Sequence, residues 1–215
     1  MIVLAFHTAG PACELALVHD RAVVKEIKVA MQRGQDARLA GLTQTLLRDT
    51  GHTLDDIDRF AVVTGPGSFT GIRVGVAFAR GLALATQKRC LGITTLEATL
   101  PAGQQGSAIV ALPAQKRPPD ITYWTQTFRS GQATDSAREM TLTDIADLLA
   151  EHPHMVYGDA KALKDQHPEL TVHEACPSAI RAAQLAASMD PDQHFATPTY
   201  ARAPDAALPK TAEPK

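Results

Sequence analysis

The sequence predicts an α/β protein in which a mixed five-stranded sheet with helices is followed by a second unit. Short apolar runs bounded by turn-forming residues alternate with longer stretches of helical period. A glycine-rich turn lies between one of these runs and a long apolar helix. The 215 residues are 45% hydrophobic and 20% charged, which is the composition of a globular protein with a buried core.

The first hundred residues predict the order β-β-β-α-β-α-β. Only short turns separate the first three strands, so we expect them to form an antiparallel meander. The first helix carries Leu39, Leu42 and Leu46 along one face and ends before Gly51. In chain order the predicted elements are strands 2–6, 13–19 and 22–29, helix 35–50, strand 59–64, helix 70–87 and strand 90–93.

Beyond residue 93 the predicted elements are shorter. Thr94 stands three residues before Glu97, the spacing of a capping box, which predicts the start of a helix. The other elements are strands 108–112, 121–128 and 155–157, helices 141–151 and 178–189, and a loop at 113–119. We expect units at residues 1–98 and 99–197, followed by a proline-rich tail at 198–215 that is extended or disordered.

Charge and cysteine content disfavour several classes of function. The net charge of −2 gives no general attraction to nucleic acid, which requires clustered Lys and Arg. Cys13, Cys90 and Cys176 are far apart in the sequence and predict neither a disulfide framework nor a zinc site. The N-terminal segment lacks the basic region of a signal peptide, and no apolar run reaches the ~20 residues that span a bilayer. We therefore expect a cytoplasmic protein that does not contact a membrane.

A glycine loop between the fourth strand and the second helix carries the most specific signal. Its residues are Gly65, Pro66, Gly67, Ser68 and Thr70. A turn of this kind directs free N–H groups towards one point, which suits an anion. The loop lacks the lysine of a Walker A motif and the spacing of a dinucleotide fingerprint, so a phosphate site and a structural turn both stay open. We expect Ser68 and Thr70 to serve as turn and cap residues.

The helix that follows the glycine loop is apolar on nearly every side. Such a helix must be covered on more than one face. Gly71, Gly75 and Ala79 are spaced by four residues, and we expect a second helix, from another chain, to approach this small-residue face. The alternative is that the helix packs only on its own sheet and on helix 35–50.

The glycine loop and three other segments resemble the TsaB (YeaZ) family. The loop Gly-Pro-Gly-Ser-Phe-Thr-Gly-Ile-Arg at 65–73 is the most specific of these similarities. The first strand at 3–9, the segment Gly-Ile-Thr-Thr-Leu-Glu at 92–97 and the segment Pro-Thr-Tyr-Ala-Arg at 198–202 are also similar to the family. The likeness covers the first hundred residues well and the remainder in patches.

The resemblance implies an actin/Hsp70-like fold, with a ribonuclease-H-like first half and a shortened second half of related topology. It implies a subunit without catalytic or metal-binding residues that binds and stabilises TsaD, the transferase that modifies tRNA, and works alongside the ATPase TsaE. It also implies a homodimer in isolation, tRNA contact only through the complex, and no cofactor apart from ATP or ADP at the joint with TsaD. The implied interface lies on the two helices of the first half and comprises Leu39, Leu42, Leu46, Phe69, Gly71, Ile72, Gly75, Val76 and Ala79.

Two positions depart from the family pattern. His7 stands where the family usually has an Asp, and a neutral imidazole is a poor ligand for Mg²⁺. The segment Pro-Ala-Gln at 113–115 stands where the family has Asp-Ala-Arg. The first departure argues against ATP turnover, and we do not expect the segment 113–115 to have the role that Asp-Ala-Arg has in the family.

Two enzymatic alternatives compete with the scaffold hypothesis. An ATP-dependent phosphotransferase or ATPase would need a general base, for which Asp159 is the candidate, although an Asp at this position also suits a helix cap. A metalloprotease would need clustered ligands, and the close pair His152 and His154 does not match a zinc-binding motif. We expect a non-catalytic partner subunit.

Overall fold

The computed structural model describes residues 1–31, 34–115, 121–152, 154–159 and 161–199. Two mixed sheets with their helices account for most of this part of the chain. The first sheet and its two helices comprise β1 (Ile2–His7), β2 (Ala12–His19), β3 (Ala22–Ala30), α1 (Gln35–Thr50), β4 (Arg59–Val63), α2 (Phe69–Ala85) and β5 (Arg89–Ile93). The remaining elements are β6 (Ser107–Gln115), β7 (Thr122–Arg129), β8 (Gln132–Ala133), β9 (Arg138–Thr141), α3 (Leu142–Glu151), β10 (Met155–Gly158), α4 (Lys161–Gln166), β11 (Val172–Glu174) and α5 (Ala179–Ala186).

The first sheet confirms the predicted order of elements. Its strands lie in the order β3-β2-β1-β4-β5. The three N-terminal strands form an antiparallel meander, whereas β4 runs parallel to both β1 and β5. Helix α1 ends at Gly51, whose φ of 69° is left-handed.

Both faces of the first sheet are covered by helices. The central strands are buried almost throughout, which is expected of a sheet packed on two sides. Helices α1 and α2 contact each other and lie against the sheet. Helix α5 also packs on it, and Ala179, Ala182, Ala183 and Ala186 join its core.

The second sheet has the order β11-β10-β6-β7-β8, and β9 pairs with β7. Helix α3 begins with a capping box: the Thr141 side chain accepts from the Asp144 N–H, and the Asp144 carboxylate accepts from the Thr141 N–H. The core on one side of this sheet is formed by Ile109, Ala111, Tyr123, Leu142, Ile145, Leu149, Val156 and Leu163.

Several predictions for the second half are wrong. The segment after Thr94 makes the capping-box bonds with Glu97 but forms only turns, and Pro101 follows directly. The predicted loop begins too early, because β6 continues to Gln115 across a register shift, and residues 116–120 lie outside the described chain. Elements β8, β9, α4 and β11 were not predicted, since runs of two to six residues show no clear period.

The division of the chain at residues 98 and 197 stays a prediction. Helix α5, within the predicted second unit, packs on the first sheet, and Phe195 forms a bridge to Leu91 of β5. The chain therefore returns to the first sheet near its end. Residues 200–215, most of the predicted tail, lie outside the described chain. Among the described residues, no helix has the length and apolar character needed to cross a membrane.

Candidate functional site

The glycine loop is held by three hydrogen bonds from two other parts of the chain. The Ser68 N–H donates to the Ala9 carbonyl over 2.8 Å, the Thr95 N–H donates to the Gly65 carbonyl over 2.8 Å, and the Thr95 hydroxyl donates to the Pro66 carbonyl over 2.6 Å. The bond between Gly65 and Pro66 is cis. These contacts favour the structural turn, one of the two alternatives that the sequence left open.

Two glycines in the loop are required by its conformation and its close packing. Gly65 has a φ of 112°, and a Cβ placed on it would lie 2.7 Å from the Thr199 carbonyl oxygen. A Cβ on Gly67 would lie 2.5 Å from the Ala9 carbonyl oxygen. Backbone atoms cannot move aside cheaply, so a side chain at either position would displace the loop.

Ser68 caps helix α2 as predicted. Its hydroxyl accepts a hydrogen bond from the Gly71 N–H over 3.2 Å. Helix α2 begins at Phe69, so Thr70 lies inside the first turn and is not the N-cap residue. The hydroxyl at 68 therefore has a structural role that accounts for its position.

The inner face of α2, formed by Gly71, Gly75 and Ala79, packs on the chain's own sheet. A Cβ on Gly71 would overlap the Thr8 carbonyl oxygen, and one on Gly75 would overlap the Thr8 hydroxyl oxygen. The same Thr8 hydroxyl donates to the Gly71 carbonyl over 2.7 Å. The expectation that a helix from another chain approaches this face is wrong, because the end of β1 already occupies the space.

Most of the predicted interface residues are buried, so only some of them can contact a partner. Phe69 is 36% exposed and Leu42 is partly exposed, whereas the other seven residues lie in the chain's own core. Those seven residues are Leu39, Leu46, Gly71, Ile72, Gly75, Val76 and Ala79. An interface on α1 and α2 stays a prediction, and the structure limits it to the outward-facing side chains of these helices.

The outer face of α2, defined as Phe69, Arg73, Ala77, Arg80 and Leu84, carries exposed apolar side chains, and the predicted interface includes Phe69 but not Leu84. Leu84 is 82% exposed, and the Arg73 guanidinium lies over the Phe69 ring at 4.1 Å from its centroid. The spacing of three and four residues places the five side chains on one side of the helix. The sequence shows this periodicity, but it does not show which face of the helix points outward.

A cleft of about 470 Å³ separates the end of β1 from the second sheet. Its lining includes His7, Glu14 and Lys28 from the meander and Trp124 and Asp159 from the second half of the chain. The volume lies in the range of small-molecule sites. The structure therefore brings His7 and Asp159, which the sequence analysis treated separately, to the same cavity.

The polar groups on the β1–β2 side of the cleft are buried. His7 and Glu14 lie opposite each other in the register of the two strands, and both are almost fully buried. Glu14 accepts from the Lys28 ammonium over 2.7 Å and from the Ala179 N–H over 3.3 Å. Burial lowers the pKa of His7 from its ordinary value, with Glu14 acting in the opposite direction, so the imidazole is neutral near pH 7.

The close histidine pair considered for zinc binding lies apart from the cleft. His152 and His154 both lie between α3 and β10, and neither lines the cavity. Within the described ranges, no group of three or more His, Cys, Asp or Glu side chains is placed to hold a metal ion. Cys13 is buried, Cys90 half-buried and Cys176 exposed, and all three are free thiols.

Sequence comparisons connect this chain with threonylcarbamoyladenosine proteins. The family model described as TsaD, tRNA N6-adenosine threonylcarbamoyltransferase, matches residues 29–210. A relative from Escherichia coli (strain K12), named tRNA threonylcarbamoyladenosine biosynthesis protein TsaB, is 38% identical over 96 residues, which cover 45% of this chain and 41% of that protein. The chain spans about half the length of the curated relatives it matches.

Structural comparisons confirm the α/β class of the fold. A crystal structure from Pseudomonas aeruginosa, described as an uncharacterized protein with similarity to peptidase YeaZ, superposes with a TM-score of 0.70 and 22% identity over 94% of this chain and 99% of that one. The activator of 2-hydroxyisocaproyl-CoA dehydratase from Clostridium difficile, with bound ADPNP, gives a TM-score of 0.51 and 9% identity over 86% of this chain and 94% of that one. At these identities the likeness concerns the fold alone.

Proposed function

We propose a function for this chain, which belongs to the family described as TsaD, tRNA N6-adenosine threonylcarbamoyltransferase. Its curated relatives confirm the resemblance to TsaB (YeaZ). The chain takes part in tRNA threonylcarbamoyladenosine biosynthesis as a non-catalytic subunit that binds and stabilises TsaD. TsaE and tRNA contact the resulting complex, and any nucleotide lies at the joint with TsaD. In isolation, a second copy of the chain occupies the surface that TsaD covers.

The observation that carries this proposal is the exposure of the outer face of α2. Leu84 is 82% exposed and Phe69 is 36% exposed on a helix whose opposite face is sealed against its own sheet. Covering a leucine side chain contributes about 1.5–3 kcal/mol, and an aromatic ring with a stacked guanidinium is a common centre of binding energy. The outer face of α2 therefore supports a docking surface for another protein.

The proposal is tested by changing Leu84 to Asp and measuring association with TsaD from the same organism. A buried aspartate would lack a partner at the interface, so we expect at least a tenfold weaker complex in size-exclusion chromatography with light scattering. The thermal midpoint of the monomer, measured at a concentration too low for dimers to form, should hardly change, because Leu84 is 82% exposed in it. Modification of tRNA by the reconstituted system should fall with the amount of complex.

Val23→Asp is the matched control for this experiment. Val23 is 47% exposed on β3, at the edge of the first sheet opposite β5. It receives the same charge at a comparable apolar position away from α2, and binding to TsaD should not change. Equal binding by the wild type and Leu84→Asp would show that the partner uses another surface.

A catalytic role is the second candidate, because the matching family model describes a transferase. Asp159 lines the cleft and is the residue that could act as a base. Such a role predicts ATP hydrolysis by the purified chain alone that is lost in Asp159→Asn. We expect no turnover above the buffer control in either protein.

A further inference from the structure

A recess of about 300 Å³ lies between helix α5, the turn that joins β2 to β3, and two loops next to the second sheet. Arg181 lines it from α5, and Arg21 lines it from the turn. Segments 102–105 and 130–132 form the rest of the wall, together with further residues of α5 and Ser188. Two arginines that are 160 residues apart in the sequence therefore meet at one cavity.

Hydrogen bonds within the chain hold both arginines in place. The Arg181 Nε–H donates to the Leu100 carbonyl over 2.8 Å. The two terminal nitrogens of this guanidinium have no hydrogen-bond partner among the described residues. The Gln184 amide donates to the Arg21 carbonyl over 3.2 Å, which attaches the turn to α5. Arg181 is thus oriented by one of its donors and keeps the others for a ligand.

The charges of the two arginines act on each other. Burial lowers the pKa of the Arg181 guanidinium, and so does the charge of Arg21, whereas Glu97 acts in the opposite direction. Both groups still carry their proton at physiological pH. The described residues that line the recess include no carboxylate, and Asp20, the neighbour of Arg21, is not one of them. An anion between the two guanidinium groups would offset their repulsion.

The surroundings of the recess favour a single phosphate group. Two guanidinium groups can bind the oxygens of one phosphate with paired N–H donors, whereas a nucleic-acid backbone needs a longer track of Lys and Arg. An adjacent cavity that shares Arg181 is lined by the carboxylates of Glu97 and Asp190, which would repel a second phosphate on that side. The volume of about 300 Å³ leaves room for a small organic group beside the phosphate.

We propose that Arg21 and Arg181 bind a small molecule that carries one phosphate monoester group. The terminal nitrogens of Arg181 and the guanidinium of Arg21 donate to the phosphate oxygens. The neutral polar side chains of Ser130 and Gln132 line the space beside them. The recess shares no residue with the cleft or with the outer face of α2, so this site is independent of the proposed binding to TsaD.

The experiment titrates the isolated chain with methyl phosphate, and with acetate as the control, at constant ionic strength. At about pH 8 the phosphate is a dianion, so it should bind at least tenfold more tightly than the singly charged carboxylate. Binding is followed by the ¹H–¹⁵N resonances of the Gly131 backbone and of the Arg181 Nε–H, both at the recess. We expect saturable shifts of both, and none for Ala77 on the outer face of α2. Shifts that do not saturate, or tighter binding of acetate, would overturn the proposal.

Arg21→Gln and Arg181→Gln each remove one of the two charges, and Arg38→Gln is the matched control. Arg38 is an exposed arginine of α1 that does not line the recess. The first two variants should weaken methyl phosphate binding at least tenfold, and the control should leave it unchanged. Arg21 is exposed, so Arg21→Gln tests the site even if Arg181→Gln does not fold without the bond to Leu100. Unchanged affinity in Arg21→Gln would overturn the assignment.

Nucleic acid is the alternative ligand that the titration must distinguish, because a role in tRNA modification is proposed for this chain. A single-stranded RNA of about eight nucleotides without a terminal phosphate offers phosphodiesters but no monoester. We expect it to bind at least tenfold more weakly than methyl phosphate. Tighter binding of this RNA that is lost in Arg21→Gln would overturn the small-molecule ligand and assign the recess to nucleic acid.

Discussion

The two faces of helix α2 carry the same small residue in opposite surroundings. On the inner face, Gly71 and Gly75 lie directly against Thr8, and a Cβ at either position would overlap it. On the other side, a Cβ on Gly81 would have no atom within 4 Å, and Leu84 points into solvent one turn later. A glycine in a helix therefore indicates close packing only where another part of the molecule fills the space. Here Thr8, which directly follows β1, fills the space, and it belongs to the same chain.

The largest expected effect is that of Gly71→Ala. The new methyl group would overlap the carbonyl oxygen of Thr8, a backbone atom that can move only if α2 separates from β1. We expect a loss of about 3 kcal/mol or more in the free energy of unfolding, measured by chemical denaturation. A loss of less than about 1 kcal/mol would show that the contact between α2 and β1 is looser than the structure indicates.

A smaller effect is expected for Gly75→Ala, and a double-mutant cycle with Thr8→Ala identifies its origin. The methyl group at position 75 would overlap the Thr8 hydroxyl, which would have to rotate and lose its bond to the Gly71 carbonyl. We expect Gly75→Ala to cost about 2 kcal/mol in the wild type. In the Thr8→Ala background the obstructing oxygen is absent, so the same change should be close to neutral.

The coupling free energy between these two positions should therefore be about 1–2 kcal/mol. Denaturation of the four proteins under one set of conditions provides it. Additive effects would mean that Thr8 is not the group that requires glycine at position 75. A steric requirement from Val62, whose Cγ2 lies 3.4 Å from the added carbon, would then be the remaining explanation.

The strands of the first sheet and the bounds of α1 could be predicted because their signals are local. The stripe formed by Leu39, Leu42 and Leu46, followed by Gly51, defines an amphipathic helix and its end without reference to the rest of the chain. The hydroxyl of Ser68 likewise predicted the cap of α2. In these cases the residues that decide the structure lie within a few positions of one another.

The packing partner of α2 could not be predicted, since it depends on contacts between distant residues. Thr8 lies 63 residues from Gly71, and the spacing of small residues is the same for a neighbouring strand and for a second protein. The cleft illustrates the same difficulty, because His7 and Trp124 line one cavity only when the second sheet is in place. Of its polar groups, His7 and Glu14 could have been paired from the predicted hairpin by counting residues across the turn.

Gly81→Ala gives the smallest expected effect and the opposite sign. Gly81 is exposed, and the added methyl group would meet no atom within 4 Å. Alanine restricts the unfolded chain more than glycine does and favours the helix, so we expect a gain of about 0.5–1 kcal/mol in the free energy of unfolding. Gly71→Ala introduces the same methyl group into the same helix but should destabilise the protein. The opposite signs of the two changes in the free energy of unfolding would show that only the inner face of α2 is tightly packed. Destabilisation by Gly81→Ala would mean that this side of α2 is covered within the isolated chain, in which case Leu84 would not be available to a partner.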